Sequence, residues 1–99
     1  MRKLVLHSKF KVGGSSSEYV EMRRTVDLSD NAILTPNMIL VKGDLRITLE
    51  NLVWDEDQQE YQSYIPAFNI DQKDVLKKHI DYSLAKGWWI SYQTKGIEL

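Results

Sequence analysis

The 99-residue sequence contains no cysteine, and only two prolines and two histidines. The absence of cysteine excludes disulfides, thiolate metal sites and cysteine-based catalysis, and it fits a reducing compartment. No run approaches the ~18 apolar residues that a membrane-spanning helix requires. The apolar stretch behind the basic N-terminus is too short for a signal peptide. We therefore expect a cytoplasmic protein with no membrane association.

The sequence also lacks a large excess of positive or negative residues. The sequence has 13 Lys or Arg against 14 Asp or Glu, so no global field attracts nucleic acid. The length fits one domain over residues 1–99. The acidic stretch 55–60 lacks the ligand spacing of a calcium loop, and neither histidine belongs to a metal-binding motif. We expect no catalytic residues, no metal and no cofactor.

Residues 3–12 and 18–28 alternate between apolar and polar side chains, as half-buried strands do. In the first segment Leu4, Leu6, Phe10 and Val12 share one face. In the second the corresponding residues are Val20, Met22, Val26 and Leu28. We expect these strands to form a hairpin joined by the loop "GGSSSE".

A second hairpin is predicted over residues 45–68, after a short strand "MILVK" that a turn at Gly43–Asp44 closes. A loop at 55–59 places Trp54 opposite Glu60. In this register Leu52, Trp54, Tyr64 and Phe68 lie on one face. Pro66 lacks the N–H that a central strand needs, which favours an edge position.

One helix is predicted at about 71–86, with Asp71 as N-cap and Gly87 as the left-handed stop. Leu76, Ile80 and Leu84 form its apolar stripe. The predicted fold class is α+β. It has a mainly antiparallel sheet of about five strands, with one C-terminal helix packed on one face, in the order β-β-(β)-β-β-α-β.

The pair Trp88–Trp89 begins the last strand, where neighbouring side chains point to opposite faces. We expect Trp88, Ile90 and Tyr92 to pack beneath the helix, with Trp89 on the uncovered face. Because a single helix covers one side of a sheet, the uncovered side then exposes an unusual amount of aromatic surface. The alternative is that the N-terminal hairpin folds across this face as a second layer.

The sequence favours a non-catalytic protein-interaction module, such as an inhibitor, adaptor or immunity-like protein. It would bind a partner or a second copy, as a homodimer, through exposed aromatic side chains. The expected anchor residues are Leu52, Trp54, Tyr64 and Trp89, with Asp55 and Asp57 steering the encounter from the rim.

The alternative is a nucleic-acid-binding protein. It would use a basic N-terminal hairpin and a stacking tryptophan. Its candidate residues are Lys9, Lys11, Arg23 and Arg24. The slightly acidic balance of the whole chain places this alternative second.

Overall fold

A computed structural model describes residues 2–13 and 18–97; the predicted loop "GGSSSE" lies largely outside these residues. The described part contains one helix and eight strands. They are β1 (Arg2–Val12), β2 (Tyr19–Leu28), β3 (Ile39–Lys42), β4 (Leu45–Thr48), β5 (Leu52–Asp55), β6 (Glu60–Tyr64), β7 (Phe68–Ile70), α1 (Lys73–Ala85) and β8 (Trp89–Gln93). The α+β class is confirmed. The helix lies between β7 and β8, so it is not the C-terminal element.

The main sheet has the strand order β5-β6-β1-β2-β8, and β7 also pairs with β1. The β5–β6 pair is antiparallel, as predicted, and β2 pairs in antiparallel fashion with β8, a pairing that the sequence did not predict. By contrast, β1 pairs in parallel with both β6 and β7. Pro66 lies in the break between β6 and β7, where no ladder N–H is required. Because β1 and β2 are inner strands of this sheet, the alternative of a separate N-terminal layer is wrong.

The chain divides into two compact units, which we describe separately. Unit 1 comprises Met1–His7 and Thr25–Ile65, and unit 2 comprises Ser8–Arg24 and Pro66–Leu99. Strands β1 and β2 contribute residues to both units.

In unit 1 the alternation predicted for β1 is confirmed, because Leu4 and Leu6 are fully buried. Their β6 partners are Tyr61 and Ser63, which therefore face the same side. Ser63 is also fully buried, and its hydroxyl donates a hydrogen bond to the Glu50 carbonyl oxygen at 2.7 Å. This bond satisfies the polar group that the core would otherwise leave unpaired.

The predicted register of the second hairpin is wrong by one residue. Trp54 pairs with Tyr61, not Glu60, because Asp55 belongs to β5 and pairs with Glu60. The Asp55 carboxylate accepts hydrogen bonds from the backbone N–H groups of Asp57 and Gln58, both at 3.1 Å, and so fixes a tighter loop. A slip of one residue moves every β6 side chain to the other face.

The predicted long strand before this loop is also divided into two. Asn51 has φ +49°, a left-handed conformation that interrupts an extended strand and that Asn adopts more readily than most residues. Its side-chain amide donates to the Tyr64 carbonyl oxygen at 3.0 Å. Consequently β4 pairs with β3 in a separate two-stranded sheet, while β5 pairs with β6. The turn predicted at Gly43–Asp44 joins β3 to β4.

In unit 2 the helix buries Leu76 and Ile80 against one side of the sheet. The cluster they join contains Phe10, Val12, Val20, Met22, Ile70 and Ile97, with Trp88 and Ile90 packed on it. Leu84, predicted to be buried, is 45% exposed. The N-cap is Gln72 rather than Asp71. The helix ends at Ala85, and Gly87, which follows the C-cap Lys86, has a φ of +91° that confirms the predicted left-handed stop.

Phe68 is another correction. It pairs with Phe10 across β7 and β1, and the two rings stack with centroids 5.7 Å apart. Paired residues share a face, so Phe68 lies on the helix side of the sheet rather than on the opposite side.

The last strand contains a β-bulge that the sequence pattern does not reveal. Trp89 pairs with Arg23 and Ile90 with Met22, but Tyr92 pairs with Glu21, so Ser91 is the extra residue. The bulge moves Tyr92 from the predicted helix side to the face that carries Trp89. The divergence of the two indoles is as predicted: Trp88 packs on the core cluster and Trp89 is 43% exposed.

Candidate binding surfaces

Trp54, the predicted anchor in unit 1, is held by three neighbours. Its indole N–H donates to the Glu56 carboxylate at 2.6 Å, and its ring meets the edge of Tyr61 at a centroid distance of 4.9 Å. The Arg2 guanidinium lies 5.7 Å from the ring centroid. Trp54 is 37% exposed, but its polar edge and part of its ring are already used within the unit.

Tyr64 does not share the face of Trp54. The corrected register places Leu52 and Trp54 with Tyr61 and Ser63, and Tyr64 on the opposite side of the hairpin. There Tyr64 stacks on the His7 ring, with centroids 4.4 Å apart and planes 12° from parallel.

A hydrogen bond joins His7 Nε2 to the Gln62 side-chain oxygen on this side of the hairpin. Leu52 itself is half-buried. The unit 1 members of the predicted set are therefore divided between two faces.

The two predicted rim carboxylates have different roles. Asp55 is partly buried and caps the β5–β6 turn, whereas Asp57 is exposed at its tip. Of these two carboxylates, only Asp57 has the exposure expected of a charge that steers a partner. The remaining predicted anchor, Trp89, belongs to unit 2.

Unit 2 brings the other predicted residues together. On the side of its sheet opposite α1, the odd-numbered residues of β1 and β2 share a face with the two exposed aromatic residues of β8. We call this surface the aromatic face of unit 2. It consists of Lys9, Lys11, Tyr19, Glu21, Arg23, Trp89 and Tyr92. The nucleic-acid alternative predicted three of its cations; Arg24 alternates to the helix side, where its Nε lies close to Gly87.

Several side chains of the aromatic face are held in position by contacts with one another. The Lys9 ammonium lies 4.4 Å from the Tyr19 ring centroid and 3.5 Å from the Glu21 carboxylate. Tyr19 also packs on Tyr92, with ring centroids 5.6 Å apart. Lys9 and Glu21 therefore largely neutralise each other beside a supported pair of tyrosines.

The remaining groups of the face are available to a ligand. Within residues 2–13 and 18–97, the side chains of Lys11 and Arg23 form no hydrogen bond or ion pair. Trp89 is 43% and Tyr92 52% exposed. The two segments of unit 2 contain nine Lys or Arg and six Asp or Glu, while those of unit 1 contain four and eight. A chain with almost no net charge thus has a basic and an acidic unit.

Sequence reasoning missed Tyr19 and Tyr92 as members of this surface. Tyr19 was detectable, because it alternates with Glu21 and Arg23 along one strand. Tyr92 was not, because the bulge at Ser91 reverses its side.

Other classes of site receive no support from the described residues. Among them, no three His, Asp or Glu side chains converge in a way that would hold a metal ion. No helix in the described part of the chain has both the length and the apolar character of a membrane span. In the comparisons with known proteins, no family model, curated protein or solved structure matches the chain.

Proposed function

We propose that the chain is a non-catalytic binding module for single-stranded nucleic acid, and that the aromatic face of unit 2 is its binding surface. One observation carries the proposal. Two half-exposed aromatic side chains, Trp89 and Tyr92, share a sheet face with two cations, Lys11 and Arg23, that have no partner among residues 2–13 and 18–97. This combination supports an anionic ligand that also has flat apolar groups.

Stacking explains why unpaired bases suit this face. Each base that stacks on an exposed aromatic ring contributes ~1–3 kcal/mol, largely independent of sequence. Cations beside the rings contact phosphates and release counterions from the strand. A duplex hides its base faces within its own stack, so an aromatic sheet surface favours single strands.

The small number of cations that can contact phosphates limits the expected affinity. Lys9 is opposed by Glu21 at 3.5 Å, which leaves Lys11 and Arg23 as the main phosphate contacts on the face. So few contacts give a modest salt dependence, and stacking then supplies much of the affinity. A cytoplasmic place of action belongs to the same proposal.

Fluorescence anisotropy with a labelled oligothymidine of about 12 nucleotides tests the proposal. Trp89→Ala should weaken binding by about ten-fold, in line with the loss of one stacked base. Tyr82→Ala is the matched control, because Tyr82 is 67% exposed on α1 and has the Lys86 ammonium 5.7 Å from its ring. Equal losses in the two variants, or no binding by the unaltered protein, would contradict the proposal.

A protein partner is the second candidate function, through the anchor residues predicted in unit 1. The observation that favours it is apolar exposure on hairpin β5–β6: Val53 is 50% and Tyr64 46% exposed, beside an acidic turn. In the same unit, Leu52 and Trp54 provide a smaller apolar strip on the hairpin's other face. This function predicts a salt-insensitive, concentration-dependent change in sedimentation, with no binding of oligonucleotide.

A further inference from the structure

The bulge in β8 determines which aromatic rings share the binding face. A regular strand alternates its side chains, which would place Trp89 and Tyr92 on opposite sides. With Ser91 inserted, Trp89 pairs with Arg23 and Tyr92 pairs with Glu21, two residues along the same face of β2. Bulges are frequent beside functional sites, where they redirect a side chain.

We infer that Trp89 and Tyr92 form a platform for two successive unpaired bases of a nucleic-acid strand. This inference rests on the proposed function and specifies how that site holds its ligand. Each ring takes one base, and the bulge at Ser91 is the structural device that brings the second ring to the face.

The spacing of the platform sets the conformation of the bound strand. Two residues along a strand span about 6.6 Å, so the pairing positions of the two rings are separated by about that distance. Stacked bases in a helical strand rise by only about 3.4 Å. The two bases must therefore unstack from each other, and each stacks on a protein ring instead.

Neighbouring groups support both ends of this platform. Arg23 pairs with Trp89 in the ladder and forms no ion pair within the described residues, so its guanidinium is free to contact a phosphate near the first base. Tyr19 packs on Tyr92 with ring centroids 5.6 Å apart, and Lys9 lies over Tyr19. These contacts support the Tyr92 ring before a ligand arrives.

Substitutions at Tyr92 test the platform by the same anisotropy titration with oligothymidine. Tyr92→Leu retains apolar bulk against Tyr19 but removes the aromatic ring, and it should weaken binding by about ten-fold. Tyr92→Phe retains the ring and should bind like the unaltered protein. Urea unfolding of each variant checks that the fold is intact, and Tyr82→Leu on α1 is the matched control.

The outcomes separate this inference from the proposed function. If Trp89→Ala weakens binding and Tyr92→Leu does not, the two-base platform is wrong while the proposed function stands. If the unaltered protein binds no oligothymidine, the proposed function itself fails. If inorganic polyphosphate competes as well as the oligonucleotide, binding depends on charge alone and the platform is overturned. Weaker binding by Tyr92→Leu with retention by Tyr92→Phe supports the platform.

Discussion

The substitution Lys11→Gln removes one of the two cations on the aromatic face of unit 2 that lack a partner among the described residues. The other is Arg23, whereas Lys9 is balanced by Glu21 at 3.5 Å. Glutamine keeps most of the side-chain length and polarity at position 11. The change therefore tests the charge rather than the packing of β1.

The expected effect follows from counterion release. For a single strand, log K falls with log salt at a slope of about −0.7 for each phosphate neutralised. Two contacts predict a slope of about −1.4, which is a loss of about seven-fold in affinity between ~50 and ~200 mM salt. After Lys11→Gln one contact remains, the slope becomes about −0.7, and the loss shrinks to about two- to three-fold.

Anisotropy titrations of labelled oligothymidine across this salt range measure the slope for each protein. Lys77→Gln is the matched control, because Lys77 is an exposed cation of the same unit on α1. The control should keep the slope of the unaltered protein. A slope near zero before substitution, or the same change in both variants, would refute the assignment of Lys11 to a phosphate contact.

Two further predictions concern stability. Trp88→Ala should lower the free energy of unfolding by about 3–5 kcal/mol because its ring packs on the core cluster, whereas the half-exposed Trp89 should cost only about 1–2 kcal/mol. Urea unfolding measures both, and equal losses would contradict the divergence of the indoles. Ser63→Val removes the 2.7 Å hydrogen bond to the Glu50 carbonyl oxygen, which still accepts a bond from the Tyr64 backbone N–H at 3.1 Å. It should destabilise the protein by about 0.5–1.5 kcal/mol without changing oligonucleotide affinity; a loss of affinity would contradict the assignment of binding to unit 2.

Local patterns predicted the elements that depend on local causes. The alternation in residues 3–12 and 18–28 correctly identified the buried faces of β1 and β2, including Leu4 and Met22. The apolar period predicted the helix, and Gly87 predicted the left-handed stop that follows it. Strand geometry alone predicted that Trp88 packs on the core and that Trp89 is exposed on the opposite face.

The predictions that were wrong concern features that depend on single residues or on partners distant in the sequence. Asn51 adopts a left-handed conformation that divides one predicted strand, and the Asp55 cap shortens the next loop by one residue. The bulge at Ser91 likewise changes the side on which Tyr92 lies. Parallel pairing of β1 with β6 joins segments far apart in the sequence, which periodicity does not detect.

The candidate site was predictable only in part for the same reason. Lys9, Lys11 and Arg23 follow from alternation along two strands, and Trp89 follows from its neighbour Trp88. Their assembly on one face required knowing that β8 pairs with β2. That pairing joins residues about 70 positions apart, beyond the reach of any local pattern.

The most direct test of the binding surface is a nuclear magnetic resonance titration of the three tryptophan indole N–H signals with oligothymidine. Single Trp→Phe variants assign the signals. We predict that the Trp89 signal shifts as the strand stacks on its ring, while the signals of Trp88, packed on the core, and Trp54, bonded to Glu56, stay in place. A shift confined to Trp54, or no shift at saturating oligonucleotide, would contradict the account.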